Sequence, residues 1–164
     1  MEMLRIAVLL AATVTMGIGA GVYLLYSFAI MPGLRRVSDR TFVGAFQQID
    51  TAIVGPFLLV FFFGPLILTI LAGALHLGQE ERSVLPWIGI AFILQLAILA
   101  ITLVINVPLN NGIKAAGNPD TIDDISAVRQ SFNETRWGSW NLFRSVTSTV
   151  SVTSLAWALV LIER

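Results

Sequence analysis

Cysteine is absent from this 164-residue chain, histidine occurs once, and charge is sparse: 12% of residues are charged, ten basic and ten acidic. Without cysteine there are no disulfides, iron–sulfur ligands or catalytic thiolates. With His76 alone, a multi-histidine metal site or a bis-histidine haem cannot form within one chain. The net charge is zero and the basic residues are scattered, so nucleic acid is not an expected partner. Polar–apolar alternation is missing as well, and the apolar runs are far too long for barrel strands. What is abundant is apolar side chain, at 56% of residues and a mean hydropathy of +0.82. Soluble domains run at about 45–50% apolar and about 25% charged. A membrane-crossing helix takes about 20 residues, so four would absorb most of this apolar content. The expectation is an all-α, integral membrane four-helix bundle forming a single transmembrane domain over 1–164.

Four charge-free runs define the spans, at 6–34, 51–79, 83–113 and 145–162. They place crossing helices at approximately 6–32, 51–77, 85–108 and 141–162. The first run is longer than a signal-peptide core and has no clean cleavage site, so it reads as a retained helix. Lysine and arginine counts set the orientation. Arg35, Arg36 and Arg40 lie in the first loop, and Lys114, Arg129, Arg136 and Arg144 in or beside the third, seven in all. Arg5, Arg82 and Arg164 make three on the other side. The expectation is a multi-pass inner (plasma) membrane protein with loops one and three cytoplasmic and both termini outside. In the third loop, Thr121 to Asp124 has capping-box spacing. Ile122, Ile125, Val128 and Phe132 then recur at helical spacing, which predicts a short amphipathic helix on the membrane surface or the bundle end. Gly17 and Gly21 form a small-xxx-small pair for close helix packing, within the bundle or in a homo-oligomer. Gly64-Pro65 predicts a kink in span two, and Pro108 a bend at the end of span three.

Polar residues inside hydrocarbon are costly and usually face a bundle interior. Gln95, Thr102 and Asn106 fall within about 40° of one another on a helical wheel, with Asn110 one turn further. Asn141, Arg144, Ser148 and Ser151 form a second stripe, and Trp137 and Trp140 share its face if the last helix starts early enough. Both stripes end at the same predicted level as Gln47, Gln48 and Asp50. Arg144, the carboxamides of Asn106, Asn110 and Asn141, and the indoles of Trp137 and Trp140 suit a flat aromatic ligand that carries oxygens. Asp50 is a candidate counter-ion for Arg144. The ordinary alternatives are belt tryptophans, a snorkelling arginine, and asparagines that tie helices together. His76, at the far end of span two, reads as an interfacial residue.

These residues carry a resemblance. Ser27-Phe28-Ala29-Ile30-Met31-Pro32-Gly33-Leu34, Phe46-Gln47-Gln48-Ile49-Asp50, Asn106-Val107-Pro108-Leu109-Asn110-Asn111 and Trp137-Gly138-Ser139-Trp140-Asn141-Leu142-Phe143-Arg144 resemble the anthrone-oxygenase-like family of four-helix membrane proteins. The resemblance runs from about Gly17 to Leu161 and implies oxidation of an activated methylene of an anthrone-like substrate with O2. For that chemistry the candidate catalytic residues are Arg144 at an enolate oxygen, Asn106 orienting it, and Asp50 as the nearest plausible base. The candidate substrate-binding residues are Asn110, Trp137, Trp140, Asn141 and Gln47. Where the family pattern carries asparagine, this chain has Asp50. No cofactor and no metal is expected, since iron or copper would need an unusual carboxylate and carboxamide ligand set. The expected partners are the lipid bilayer and a small lipophilic or aromatic ligand. Two alternatives remain at this point: a non-catalytic protein that binds or transports such a molecule, and a structural subunit that docks through its glycine face.

Overall fold

The computed structural model describes the chain except residues 56–58 and 163–164 and the side chains of Leu59, Gln79, Glu80 and Glu81. Part of the expected second span and Arg164 of the charge count therefore lie outside the described residues. Among the described residues every regular element is helical. The elements are α1 (Glu2–Leu34), α2 (Asp39–Ile53), α3 (Val60–Leu75), α4 (Arg82–Ala115), α5 (Ile125–Phe132) and α6 (Glu134–Ile162). Three candidate membrane spans are long and apolar enough to cross: α1, α4, and α6 together with the α5 turns before it. The 16 residues of α3 span about 24 Å at 1.5 Å each, short of about 30 Å of hydrocarbon.

Span two therefore differs from its expected bounds. Residues 39–53 form a separate helix, because Val54 turns extended (ψ 95°) and ends it before Gly55. Ser38 starts that helix by accepting the Thr41 amide. The last helix begins at Glu134, well before 141. Asn133 makes this possible. It sits in the left-handed region (φ 52°, ψ 68°), closes α5, and its Oδ1 accepts the Arg136 amide at 3.0 Å to open α6. The α5 cap is Asp124, which accepts the Ala127 amide at 2.9 Å, rather than Thr121.

The long elements pack in sequence around a ring: α1 on α6, α6 on α4, α4 on α3 and α3 on α1. α2, α5 and the last turns of α4 pack together across one end. Two apolar cores result. One, built from residues such as Leu9, Ala72, Ala91, Ile98 and Leu155, lies toward the Glu2 end of α1. The other, Tyr26, Phe42, Phe46, Ile113, Phe132 and Trp137, lies under the cap. Between them, along α4 and α6, comes a buried polar layer that includes Thr102, Asn141, Arg144, Ser145 and Ser148. The α6 serines are small enough to let α1 and α4 approach. Ser145 bonds Ser27 at 3.0 Å, and Ser151 donates to the Ala91 carbonyl at 3.3 Å. His76 is fully buried rather than interfacial, with Nδ1 2.7 Å from the Ala72 carbonyl oxygen.

Three of the rods carry one widened, π-type turn: Tyr26–Ile30, Leu59–Phe63 and Thr102–Asn106. Each is followed two residues later by a proline, Pro32, Pro65 and Pro108. Proline lacks an amide hydrogen and crowds the carbonyl four residues before it, and widening the turn relieves that crowding. The expected kinks are thus expressed as widened turns.

The close approach along α1 falls at Gly19, not at Gly17 or Gly21. A Cβ on Gly19 would meet the Phe61 carbonyl oxygen at 3.0 Å, whereas one on Gly17 or Gly21 meets nothing within 4 Å. Gly19→Ala should therefore destabilise the fold by about 1–3 kcal/mol, the usual cost of overpacking. Gly17→Ala should be neutral or stabilising. Thermal unfolding of the two variants in detergent, side by side, measures the contrast.

Candidate functional site

A cavity of about 340 Å³ opens in the polar layer, at the lower end of the size range for ligand pockets, about 300–1,000 Å³. Each widened turn supplies one wall residue: Tyr26 from α1, Phe62 from α3 and Thr102 from α4. α2 supplies Asp50, the end of α4 supplies Asn110 and Lys114, and α6 supplies Trp137, Asn141 and Arg144.

Arg144 forms the deep wall and is 6% exposed. Its Nη1 donates to Thr102 Oγ1 at 3.0 Å and its Nη2 to Asn141 Oδ1 at 2.8 Å, while Nε has no partner. Two of five guanidinium donors are thus engaged. The charge lies against two aromatic rings, 4.7 Å from the Tyr23 centroid and 5.7 Å from that of Trp137. Asn141 is held in turn by donating to the Tyr23 carbonyl at 2.9 Å and to Ser27 Oγ at 2.8 Å. Thr102 donates to the Ile98 carbonyl at 2.7 Å, which fixes its oxygen to accept from Arg144.

Asp50 is not the counter-ion of Arg144. One of its carboxylate oxygens takes Lys114 Nζ at 2.6 Å and the other takes Asn110 Nδ2 at 2.6 Å. Asn110 Oδ1 accepts the Trp137 indole N–H at 2.7 Å. A continuous chain therefore runs Trp137–Asn110–Asp50–Lys114 and ties α6, α4 and α2 together. Lys114 and Arg144 give two positive charges to one negative charge on Asp50, so the cavity wall carries a net charge of +1. Taking a guanidinium out of water costs several kcal/mol unless it is paired. Its two hydrogen bonds and the cation–π contact, about 2 kcal/mol at a desolvated site, offset that cost, while Nε stays without a partner. The wall thus combines net positive charge with aromatic faces.

Arg144, Asp50, Asn110, Trp137 and Asn141 thus meet at one cavity. Asn106 is buried just behind the wall (1% exposed), with Nδ2 3.4 Å from the Trp137 carbonyl oxygen and Oδ1 without a partner. Gln47 lies away from the cavity and ties down the end of α4, donating to the Ile113 and Gly117 carbonyls at 2.8 and 3.0 Å. Trp140 faces outward, 37% exposed, edge-on to Phe143. On the helix it falls about 40° from Arg144 and about 100° from Asn141, at the edge of the cavity face. Sequence reasoning does not assign Tyr23, Tyr26 or Lys114 to the site, and it places Thr102 only on the polar stripe of the third span. The available signal for the first two is that the chain has just two tyrosines, three residues apart in one apolar run. Among the described residues no group of three or more His, Cys, Asp or Glu side chains converges.

A family model described as anthrone oxygenase matches residues 57–154, about three-fifths of the chain. That range contains the Asn106–Asn111 and Trp137–Arg144 segments and stops short of the segments in α1 and α2. No curated protein and no solved structure matches the chain.

Trp137→Phe keeps the ring but removes the donor to Asn110. A single interhelical hydrogen bond in a membrane protein is worth about 0.6–2 kcal/mol, so unfolding midpoints in detergent should fall by a corresponding small step. Lys114→Met, which leaves Asp50 half-paired and nearly buried, should cost more than Trp137→Phe in the same measurement.

Proposed function

Because the chain belongs to the anthrone oxygenase family, we propose that it is a membrane oxygenase that holds a flat, oxygen-bearing aromatic beside Arg144 and oxidises an activated methylene of that ligand with O2. The observation that carries this reading is the buried guanidinium of Arg144, which has unused donors, no carboxylate partner, and aromatic faces around it. The rods form a four-helix membrane bundle in which α3 is the short member and the cap elements rest at one face of the bilayer. The arginine-rich first and third loops support a cytoplasmic cap with both termini outside.

In overall balance the methylene and O2 give a ketone and water. The methylene first gives up a proton, and the resulting carbanion is delocalised onto the ligand oxygen. Arg144, through its free donors, stabilises that oxyanion. The carbanion passes an electron to O2 and the radical pair combines into a carbon–oxygen bond. After protonation, the hydroperoxide loses water to leave the ketone. Asp50 is the carboxylate in the wall and takes the proton by releasing Asn110 or Lys114. Tyr26 and Trp137, 5.5 Å apart by ring centroid, supply the stacking wall.

One observation favours a second reading, a non-catalytic carrier or binding protein for the same lipophilic anion. Both Asp50 oxygens are occupied by donors, so a base is present but engaged.

The two readings part in one assay. The purified protein is mixed with an anthrone, and O2 uptake and quinone absorbance are followed. An oxygenase turns over. Arg144→Gln should lower kcat/KM by about 10²–10³, the effect of losing one oxyanion donor. Asp50→Asn should lower it by about 10²–10⁴. Ligand binding that is unchanged in Asp50→Asn, with no O2 consumed by the wild type, establishes the carrier reading and ends the oxygenase one.

A further inference from the structure

A second hollow of about 340 Å³ lies on the outer side of the Trp137–Asn141 wall, in the seam between the last turns of α1 and the first turns of α6. Ser27, Phe28, Met31 and Pro32 line it from α1, Arg35 from the residue just after that helix, and Thr135, Ser139 and Leu142 are among those lining it from α6. On both helices they recur at three- or four-residue spacing, so the groove runs along the helix axes for about two turns.

Polarity changes along that length. At the cap end stand the guanidinium of Arg35 and the hydroxyls of Thr135 and Ser139. At the other end Phe28, 70% exposed, and Leu142, 45% exposed, form the open apolar surface, and the polar Ser27 and Asn141 beside them are bonded to each other at 2.8 Å. Arg35 has charge to spare. The nearby carboxylates of Asp39 and Glu134 both bond Arg129, at 2.9 and 2.6 Å, which leaves Arg35 Nε a longer contact of 3.6 Å to Glu134. Its side chain is half exposed. Gly138 lets the Arg35 guanidinium lie close over the α6 backbone, since a Cβ there would meet Nη2 at 3.1 Å.

We propose that this groove binds one anionic phospholipid, with the phosphate on Arg35 and the Thr135 and Ser139 hydroxyls and an acyl chain along Phe28 and Leu142. The inference rests on the membrane reading given under Proposed function, and it is independent of the oxidation chemistry. Charge and apolar surface succeed one another in the order that a lipid presents them along the membrane normal, at the level where α1 ends and α6 begins. Guanidinium–phosphate hydrogen bonds are among the strong, charge-assisted kind. Trp140 and Phe143 on the neighbouring face of α6 give the lipid an aromatic flank of the type found at membrane interfaces.

The test is lipid retention by the full chain in neutral detergent, read by native mass spectrometry after addition of phosphatidylglycerol. The wild type should keep one lipid, and Arg35→Gln should lower retention about tenfold, with circular dichroism unchanged. Arg35→Lys should restore most of the retention. Arg40→Gln, in the same loop but outside the groove, should leave it unchanged. Diacylglycerol, which lacks the phosphate, should not be retained, and excess inorganic phosphate should not displace the lipid. Equal retention by wild type and Arg35→Gln overturns the proposal, as does an equal loss in Arg40→Gln or equal retention of diacylglycerol. Displacement by inorganic phosphate overturns the lipid assignment in favour of a free-phosphate site. Extraction of the protein from cell membranes by alkaline carbonate overturns the membrane reading itself, and is scored separately.

Discussion

A guanidinium held among apolar helices is the constraint around which the rest of this structure is organised. Arg144 cannot be neutralised at any ordinary pH. It has to be accommodated by neighbours, and those neighbours are specific. Asn141 and Thr102 accept from it, Tyr23 and Trp137 turn ring faces toward it, and Ser27 and the Tyr23 carbonyl hold Asn141 in the rotamer that serves it. The polar layer between the two cores is largely the set of groups this one charge requires. Arg144 is itself only partly satisfied, since its Nε has no partner.

Trp137 couples that layer to the cap. Its ring belongs to the cluster formed by Phe46, Phe132 and Tyr26, and its indole N–H reaches Asn110. Through Asn110 it aligns Asp50, which Lys114 holds from the other side. The aromatic packing that stabilises the cap and the polar contacts that line the cavity therefore share a side chain, and the geometry of the carboxylate depends on how the cap is seated.

The helical class, the apolar rods and the meeting of Arg144 with Asn110, Trp137 and Asn141 were legible in the sequence, because charge-free run length and helical periodicity report them directly. The break at Val54 was marked by Gly55-Pro56 alone, a helix-ending pair that charge-free run length passes over because the residues around it are as apolar as a span. The early start of α6 depended on Asn133 adopting a left-handed conformation, one of several polar residues in that loop with the capacity to do so. Asp50 was assigned to the wrong cation because wheel and level arguments place residues on faces but do not choose among neighbours. Lys114, four residues beyond Asn110 on the same helix, is the nearer partner, and its sequence position speaks to topology alone. Trp140 shared a spacing with Arg144 yet lay at the edge of its face, a difference of phase too small for a wheel to decide.

The widened turns bear on how one set of helices serves two purposes. A π turn accommodates an extra residue, and each residue in a helix carries about 100° of rotation. The portions of α1 and α4 on either side of their widened turns are thereby released from a common angular register. Below the turns the helices mesh as close-packed neighbours around Leu9, Ala91 and Leu155. Above them the same backbones are re-indexed, so that side chains turn toward a hollow rather than into an adjoining groove. Proline placement thus acts as a mechanical clutch: it lets a tightly meshed stem carry a spread crown without breaking any rod in two.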